Sequence, residues 1–122
     1  MRRVGDGRKW KVRASPAHRT DLEGSSGGCA VAIQKGFGIV QKLDSVMPDG
    51  MRHRFKAAWV GALAKGGFHL CSVYLIATEG VSDSNMAILA KVCEFLRSLQ
   101  GPWILMGDFN IMLDDLLATG WV

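Results

Sequence analysis

The residues best placed for chemistry are Gly107-Asp108-Phe109-Asn110, directly behind the apolar run Trp103-Ile104-Leu105-Met106. A glycine lets the chain turn sharply where a core strand emerges. Asp108 is then presented at the strand's carboxyl end, where layered α/β folds commonly open their ligand crevices. A carboxylate held there can ligate a metal or act as a base. Asn110, two residues on, offers an amide donor and an acceptor to a phosphate oxygen or a bound water. A bare Gly-Asp-x-Asn reads equally as a turn, because Asp and Asn hydrogen-bond their own backbone. Asp114-Asp115 could pair on a metal, against which stands a solvated or helix-start position.

The other reactive side chains are dispersed. Cys29, Cys71 and Cys93 are odd in number, far apart and embedded in apolar runs, so neither a zinc site nor a disulfide framework is expected. Buried, reduced thiols in an intracellular protein, the nucleus included, are the expectation. His18, His53 and His69 all precede Asp108, and His69 alternates within a strand pattern, as a packed or solvent-facing strand histidine does.

The elements that must position Asp108 can be read upstream of it. Asn85 to Leu99 has a helical period, with Ile88, Leu89, Val92, Phe95, Leu96 and Leu99 on one face and Lys91, Glu94 and Ser98 opposite. Asp83 or Ser84 can cap its start, and Gly101-Pro102 stops it. Phe55–Leu63 and Phe68–Ile76 flank Ala64-Lys65-Gly66-Gly67 and predict an antiparallel hairpin. Cys29–Ile33 and Phe37–Val40 suggest a strand pair or one bent strand, and Met47-Pro48-Asp49-Gly50 a turn. Trp103–Met106, apolar without alternation, predicts a strand buried on both faces. A buried strand after an amphipathic helix implies a layered α/β arrangement.

With 122 residues, 48% of them hydrophobic and 21% charged, the chain has the composition of an ordinary globular domain, which excludes collagen-like, low-complexity and disordered polymers. No apolar run reaches the roughly 18 residues of a membrane span. The basic amino terminus lacks the apolar segment of a secretory signal. Residues 1–27 carry seven Lys/Arg against three Asp/Glu, which accounts for the whole net charge of +4. They read as a basic, disordered leader ahead of a domain at 28–122. Lys and Arg in such a leader could contact nucleic-acid phosphates, giving a non-catalytic binding module with strong salt dependence; a solvated tail is the alternative.

Trp103-Ile104-Leu105-Met106-Gly107-Asp108-Phe109-Asn110 resembles the hallmark of the endonuclease/exonuclease/phosphatase superfamily, the deoxyribonuclease I-like group, in which an apolar strand runs into Gly-Asp-Phe-Asn. Val73-Tyr74-Leu75 is similar to that family's preceding strand, which ends in a Tyr facing the site. Gly27-Gly28-Cys29-Ala30-Val31-Ala32-Ile33 resembles its glycine-led aliphatic strand. The resemblance covers about residues 27–117 and is nearest to retroelement (retrotransposon) endonuclease domains.

The resemblance implies a mixed α/β (α+β) fold, part of a four-layer αββα sandwich of mainly antiparallel strands with outer helices. It implies Mg²⁺-dependent, or Mn²⁺-dependent, hydrolysis of a DNA or RNA phosphodiester. A phosphatase or phospholipid phosphodiesterase of the same superfamily is the alternative. The carried-over roles fall to Asp108, which positions or deprotonates the attacking water, to Asn110, which orients the phosphate, and to Tyr74, which donates to it. Asp108 and Asn110 are the metal-site residues. The family also uses an early metal-binding Glu and a late Asp-His pair. Residues 1–22 contain no Glu, Glu23 lies in a Gly/Ser stretch, and no His follows Asn110. The expectation is an amino-terminal part of such a domain, inactive as this chain, with exposed apolar strand faces that favour self-association.

Overall fold

The computed structural model describes residues 9–19, 24–35, 39–40, 49–61 and 65–121. Among them the elements in chain order are β1 (Trp10–Ser15), β2 (His18–Arg19), β3 (Ser25–Ser26), β4 (Cys29–Gln34), β5 (Ile39–Val40), a 3₁₀ turn (Asp49–Arg54), β6 (Phe55–Val60), β7 (Phe68–Tyr74), α1 (Asp83–Ser98), β8 (Trp103–Asp108) and α2 (Leu113–Ala118). The fold is mixed α+β, with a four-stranded sheet in the order β5-β6-β7-β8 and two two-stranded ones, β1-β4 and β2-β3. Among the described strands only β7 and β8 pair in parallel, and the other pairings are antiparallel.

The predicted hairpin forms as β6 and β7, with Phe55 opposite Val73 and Val60 opposite Phe68. The parallel step from β7 to β8 needs a crossover, and α1 supplies it. The apolar stripe of α1 decides what it covers. Ile88, Leu89, Val92, Phe95 and Leu96 are buried against Phe55, Ala57, Cys71, Val73 and Leu75 on one face of the sheet, with Phe55 and Phe95 meeting edge-on at 5.2 Å. On the other face Ala58 and Val60 pack with Val31 and Ile33 of β4, flanked by Phe68 and Leu70. The described chain is therefore layered as strand pair, sheet, helix.

Several expectations change in this frame. Helix α1 is capped by neither Asp83 nor Ser84: the Ser82 hydroxyl accepts from the Asn85 N–H at 3.1 Å, one residue earlier. Cys29–Gln34 pairs neither with itself nor with the segment after it. Its partner is β1, while Ile39–Val40 joins β6. Phe37, Met47 and Pro48 lie outside the described residues.

Part of the stretch read as a leader is thus built into the fold. Its alternation is inverted: Lys11, Arg13 and Ser15 stand opposite Ile33, Val31 and Cys29, so they share the inward face. The Ser15 hydroxyl donates to the Phe55 carbonyl at 3.3 Å. Trp10, Val12 and Ala14 share the outer face with exposed Ala30, Ala32 and Gln34.

The clearest correction concerns β8. It is the edge of its sheet, not a strand buried on both faces, and Trp103, Ile104 and Met106 are 46%, 48% and 54% exposed. An apolar run reports what a strand can bury, while the neighbours decide what it does bury. Only Leu105 of this strand leans on the helix-side core.

Candidate functional site

Asp108 is the last residue of β8, and its partner across the parallel ladder is Tyr74, the last residue of β7. The Leu75 N–H donates to the Asp108 carbonyl at 2.9 Å and closes the ladder there. Laterally paired residues share a face, so Tyr74 and Asp108 sit side by side on the face that packs against β4. On the far side of Tyr74 is Arg54, next to Phe55 in register with Val73. The Arg54 guanidinium carbon lies 5.2 Å from the Tyr74 ring centroid, a cation–π approach, and Arg54 is buried. A row Arg54–Tyr74–Asp108 thus crosses from the residue leading into β6 to the ends of β7 and β8.

Beyond Asp108 the chain turns within two residues. Asn110 has φ +48°, a left-handed conformation that Asn tolerates better than most residues. Its backbone N–H donates to Asp108 Oδ1 at 3.1 Å, and its Nδ2 donates to the Leu75 carbonyl at 2.9 Å. The turn reading and the site reading of Gly-Asp-x-Asn therefore both apply: the turn is what holds the two polar side chains. Gly107 is required by contact, because a Cβ there would run into the Val73 carbonyl. Gly27 has the same kind of reason upstream. With φ +82°, it would place a Cβ 2.9 Å from the His53 carbonyl oxygen.

Gly107 to Met112 line an open cleft of about 600 Å³. The cleft brings together Asp108 and Asn110; Tyr74 borders Asp108 in the sheet without lining it. Its hard donors are Asp108 Oδ2 and Asn110 Oδ1, the oxygens that the turn leaves to a ligand. Mg²⁺ is commonly tied by one or two carboxylates, with waters and substrate phosphate completing its shell, so this donor set fits such an ion. Among the described residues no group of three or more His, Cys, Asp or Glu gathers into a larger metal cluster. Asp114 and Asp115 are exposed in the first turn of α2, where carboxylates suit the positive helix end, so the helix-start reading holds for them.

The remaining candidates are structural. His69 is buried in β7 opposite Trp59 and Trp103. Burial pushes the Cys29 thiol up to about 11, against the weaker opposing pulls of Ser72, Arg54 and the Tyr74 backbone, and the Cys71 thiol up to about 12. Both are therefore protonated and unreactive at neutral pH. Cys93 is half-buried, and all three cysteines are free.

Two residues escaped the sequence reading. Arg54 could have been found by extending the hairpin register one step beyond Phe55. Asn85 looked like an ordinary first-turn residue, but it is wholly buried. Its Oδ1 accepts from Ile76 N–H at 2.7 Å, and its Nδ2 donates to the Ile76 and Gly80 carbonyls at 3.1 and 2.9 Å. It pins the loop after β7 to α1, and no sequence pattern signals that. Of the basic leader residues, Arg13 is half-buried on the inward face. No protein-family model matches the chain, and no curated protein matches it.

Proposed function

We propose that Asp108, Asn110 and Tyr74 are the phosphate-directed part of a Mg²⁺-dependent phosphodiesterase site of the endonuclease/exonuclease/phosphatase kind, acting on nucleic-acid phosphodiester bonds. The observation that carries this reading is the pairing of Tyr74 with Asp108 at the carboxyl ends of adjacent parallel strands, with Asn110 tied back to the same strand. The Asp108 carboxylate would take a water proton. The Asn110 amide, fixed by its bond to Leu75, has an oxygen and one further N–H with which to orient a phosphate or its water. The Tyr74 hydroxyl serves as the donor, with its ring held under Arg54. Asp108 and Asn110 would hold the metal, which when bound polarises a phosphoryl oxygen and stabilises developing charge.

The same reading makes the strand pair, sheet and helix three layers of an αββα sandwich. Its fourth layer would cover the outer face of β1 and β4, where Ala30, Ala32 and Gln34 are exposed and Trp10 is 42% exposed.

Paramagnetic Mn²⁺ titrated into ¹⁵N-labelled chain tests the site directly. The amide signals of Gly107 to Asn110 should broaden first, and Asp108→Asn should abolish the effect with the rest of the spectrum unchanged. Absence of broadening at these residues, or its persistence in Asp108→Asn, overturns the metal site. Mg²⁺-dependent plasmid cleavage lost on Asp108→Ala would overturn the expected inactivity.

A further inference from the structure

We infer that β8 is a self-recognition edge, on which two copies of this chain pair antiparallel across a twofold axis at Leu105. This inference is independent of the chemistry at Asp108. The ladder to β7 fixes which amides are already used. His69 N–H donates to the Pro102 carbonyl and Leu75 N–H to the Asp108 carbonyl, so the even-numbered residues of this stretch face β7. Alternation then turns the N–H and C=O groups of Trp103, Leu105 and Gly107 outward, and no described strand takes them up. Natural edges are usually blunted by charge, proline or a bulge. Residues 103 to 107 contain no charged residue and no proline, and Trp103 on one face of the sheet and Ile104 and Met106 on the other are exposed.

The occupant follows from self-complementarity. With Leu105 opposite its own copy, Ile104 meets Met106, and Trp103 meets Gly107. Every residue of the apolar run then has a suited partner, and the Trp–Gly pair is the arrangement in which an indole covers an edge glycine. Charge favours the same direction. At the carboxyl end of β8 stand exposed Asp108, Asp114 and Asp115. At its amino end stand exposed Arg97, in the last turn of α1, and Lys65, in the connection leading into β7. An antiparallel twofold sets the acidic end of each copy beside the basic end of the other, whereas a parallel pairing would set like charges together. The closed symmetry predicts a dimer and not a fibre. A six-residue edge is small as interfaces go, so the dimer should be a weak one.

Sedimentation equilibrium from about 1 to 300 µM, a span suited to weak association, should show the mass rising from 13.3 kDa towards twice that value and stopping there. Met106→Lys, which places like charges on the edge, and Leu105→Pro, which removes one outward N–H, should each hold the chain at monomer mass. Far-ultraviolet circular dichroism identifies a variant that has lost its fold, and either variant alone suffices.

Register is read by cross-linking in a Cys93→Ser background. Hydrogen-bonded antiparallel partners stand about 5.5 Å apart at Cα, within disulfide reach, so Leu105→Cys should form a covalent dimer under mild oxidation and Ile104→Cys should not. Monomer mass at all concentrations, growth beyond a dimer, association untouched by Met106→Lys, or equal cross-linking at 104 and 105 overturns the inference. Pairing of β8 with a different strand would appear as the first of these.

Discussion

Strands β7 and β8 lie side by side, run in the same direction and are both apolar, yet they differ sharply in burial. Cys71 and Val73 are at most 1% exposed, while Trp103, Ile104 and Met106 are about half exposed. The difference is one of neighbours. Strand β7 has β6 on one side, β8 on the other, α1 above and β4 below, whereas among the described strands β8 has a partner on one side only. Hydrophobicity in a strand is therefore a capacity, realised only where the topology supplies layers to meet it. The candidate site lies at the seam between the two: Tyr74 from the enclosed strand, Asp108 and Asn110 from the open one.

The contrast is tested most severely by removing one large side chain from each side. Phe95 is 1% exposed and packs edge-on against Phe55. Its replacement by Ala should cost roughly 3–5 kcal/mol, combining lost transfer energy with a cavity. Trp103→Ala on β8 should cost about 1 kcal/mol or less, because half of the indole already faces water. Urea unfolding of both variants reads the difference. Equal losses would mean that β8 is enclosed in solution.

The two asparagines beside the seam sharpen the same point on a smaller scale. Asn85 satisfies three backbone groups from full burial, so Asn85→Ala leaves buried amide and carbonyl groups unmatched and should cost about 2–4 kcal/mol. Asn110 makes one such bond, to Leu75, from a half-buried position, and Asn110→Ala should cost about 1 kcal/mol. Hydrogen exchange adds a local readout. The Ile76 amide should lose protection in Asn85→Ala and keep it in Asn110→Ala. Loss in both variants would place the two loops in one unit.

What was legible in the sequence divides along the same seam. Helix α1, the β6–β7 hairpin and the strand entering Gly-Asp-Phe-Asn each rest on a local signal: a 3.6-residue period, alternation around Gly66-Gly67, or a glycine at a strand end. The burial of β8 was misjudged because it depends on an absent neighbour, which no local pattern records. Strand β1 was missed for a different reason. Its polar residues Arg13 and Ser15 face inward, half-buried, opposite Val31 and Cys29, so the usual apolar-inside rule points the wrong way. In the site, Asp108 and Asn110 were legible because their chemistry is local. Arg54 and Asn85 act through register and through a loop contact, which only the assembled fold reveals.

The smallest expected effect concerns the layer farthest from α1. The His53 carbonyl accepts from the Gly28 N–H at 2.7 Å, and its ring stacks on His18 at 5.3 Å, so this residue helps join the β4 layer to the sheet. Burial first, then the nearby charges of Arg54 and His18, hold the His53 imidazole below its usual 6.5. A lowered histidine pKa means that the unfolded chain binds the proton more readily than the folded one. The His53 contribution to stability is therefore complete above about pH 6.5 and is lost as pH falls through the window below it. Urea midpoints should decline slightly from pH 7.5 to 5.5, and His53→Gln should flatten that slope while leaving the Phe95→Ala loss unchanged. A midpoint that rises on acidification, or a slope indifferent to His53→Gln, would show that the imidazole is as free in the fold as in the unfolded chain. The β4 layer would then be tied down by its apolar contacts with Ala58 and Val60 and by its bonds to the His53 and Phe55 carbonyls, with no help from the imidazole.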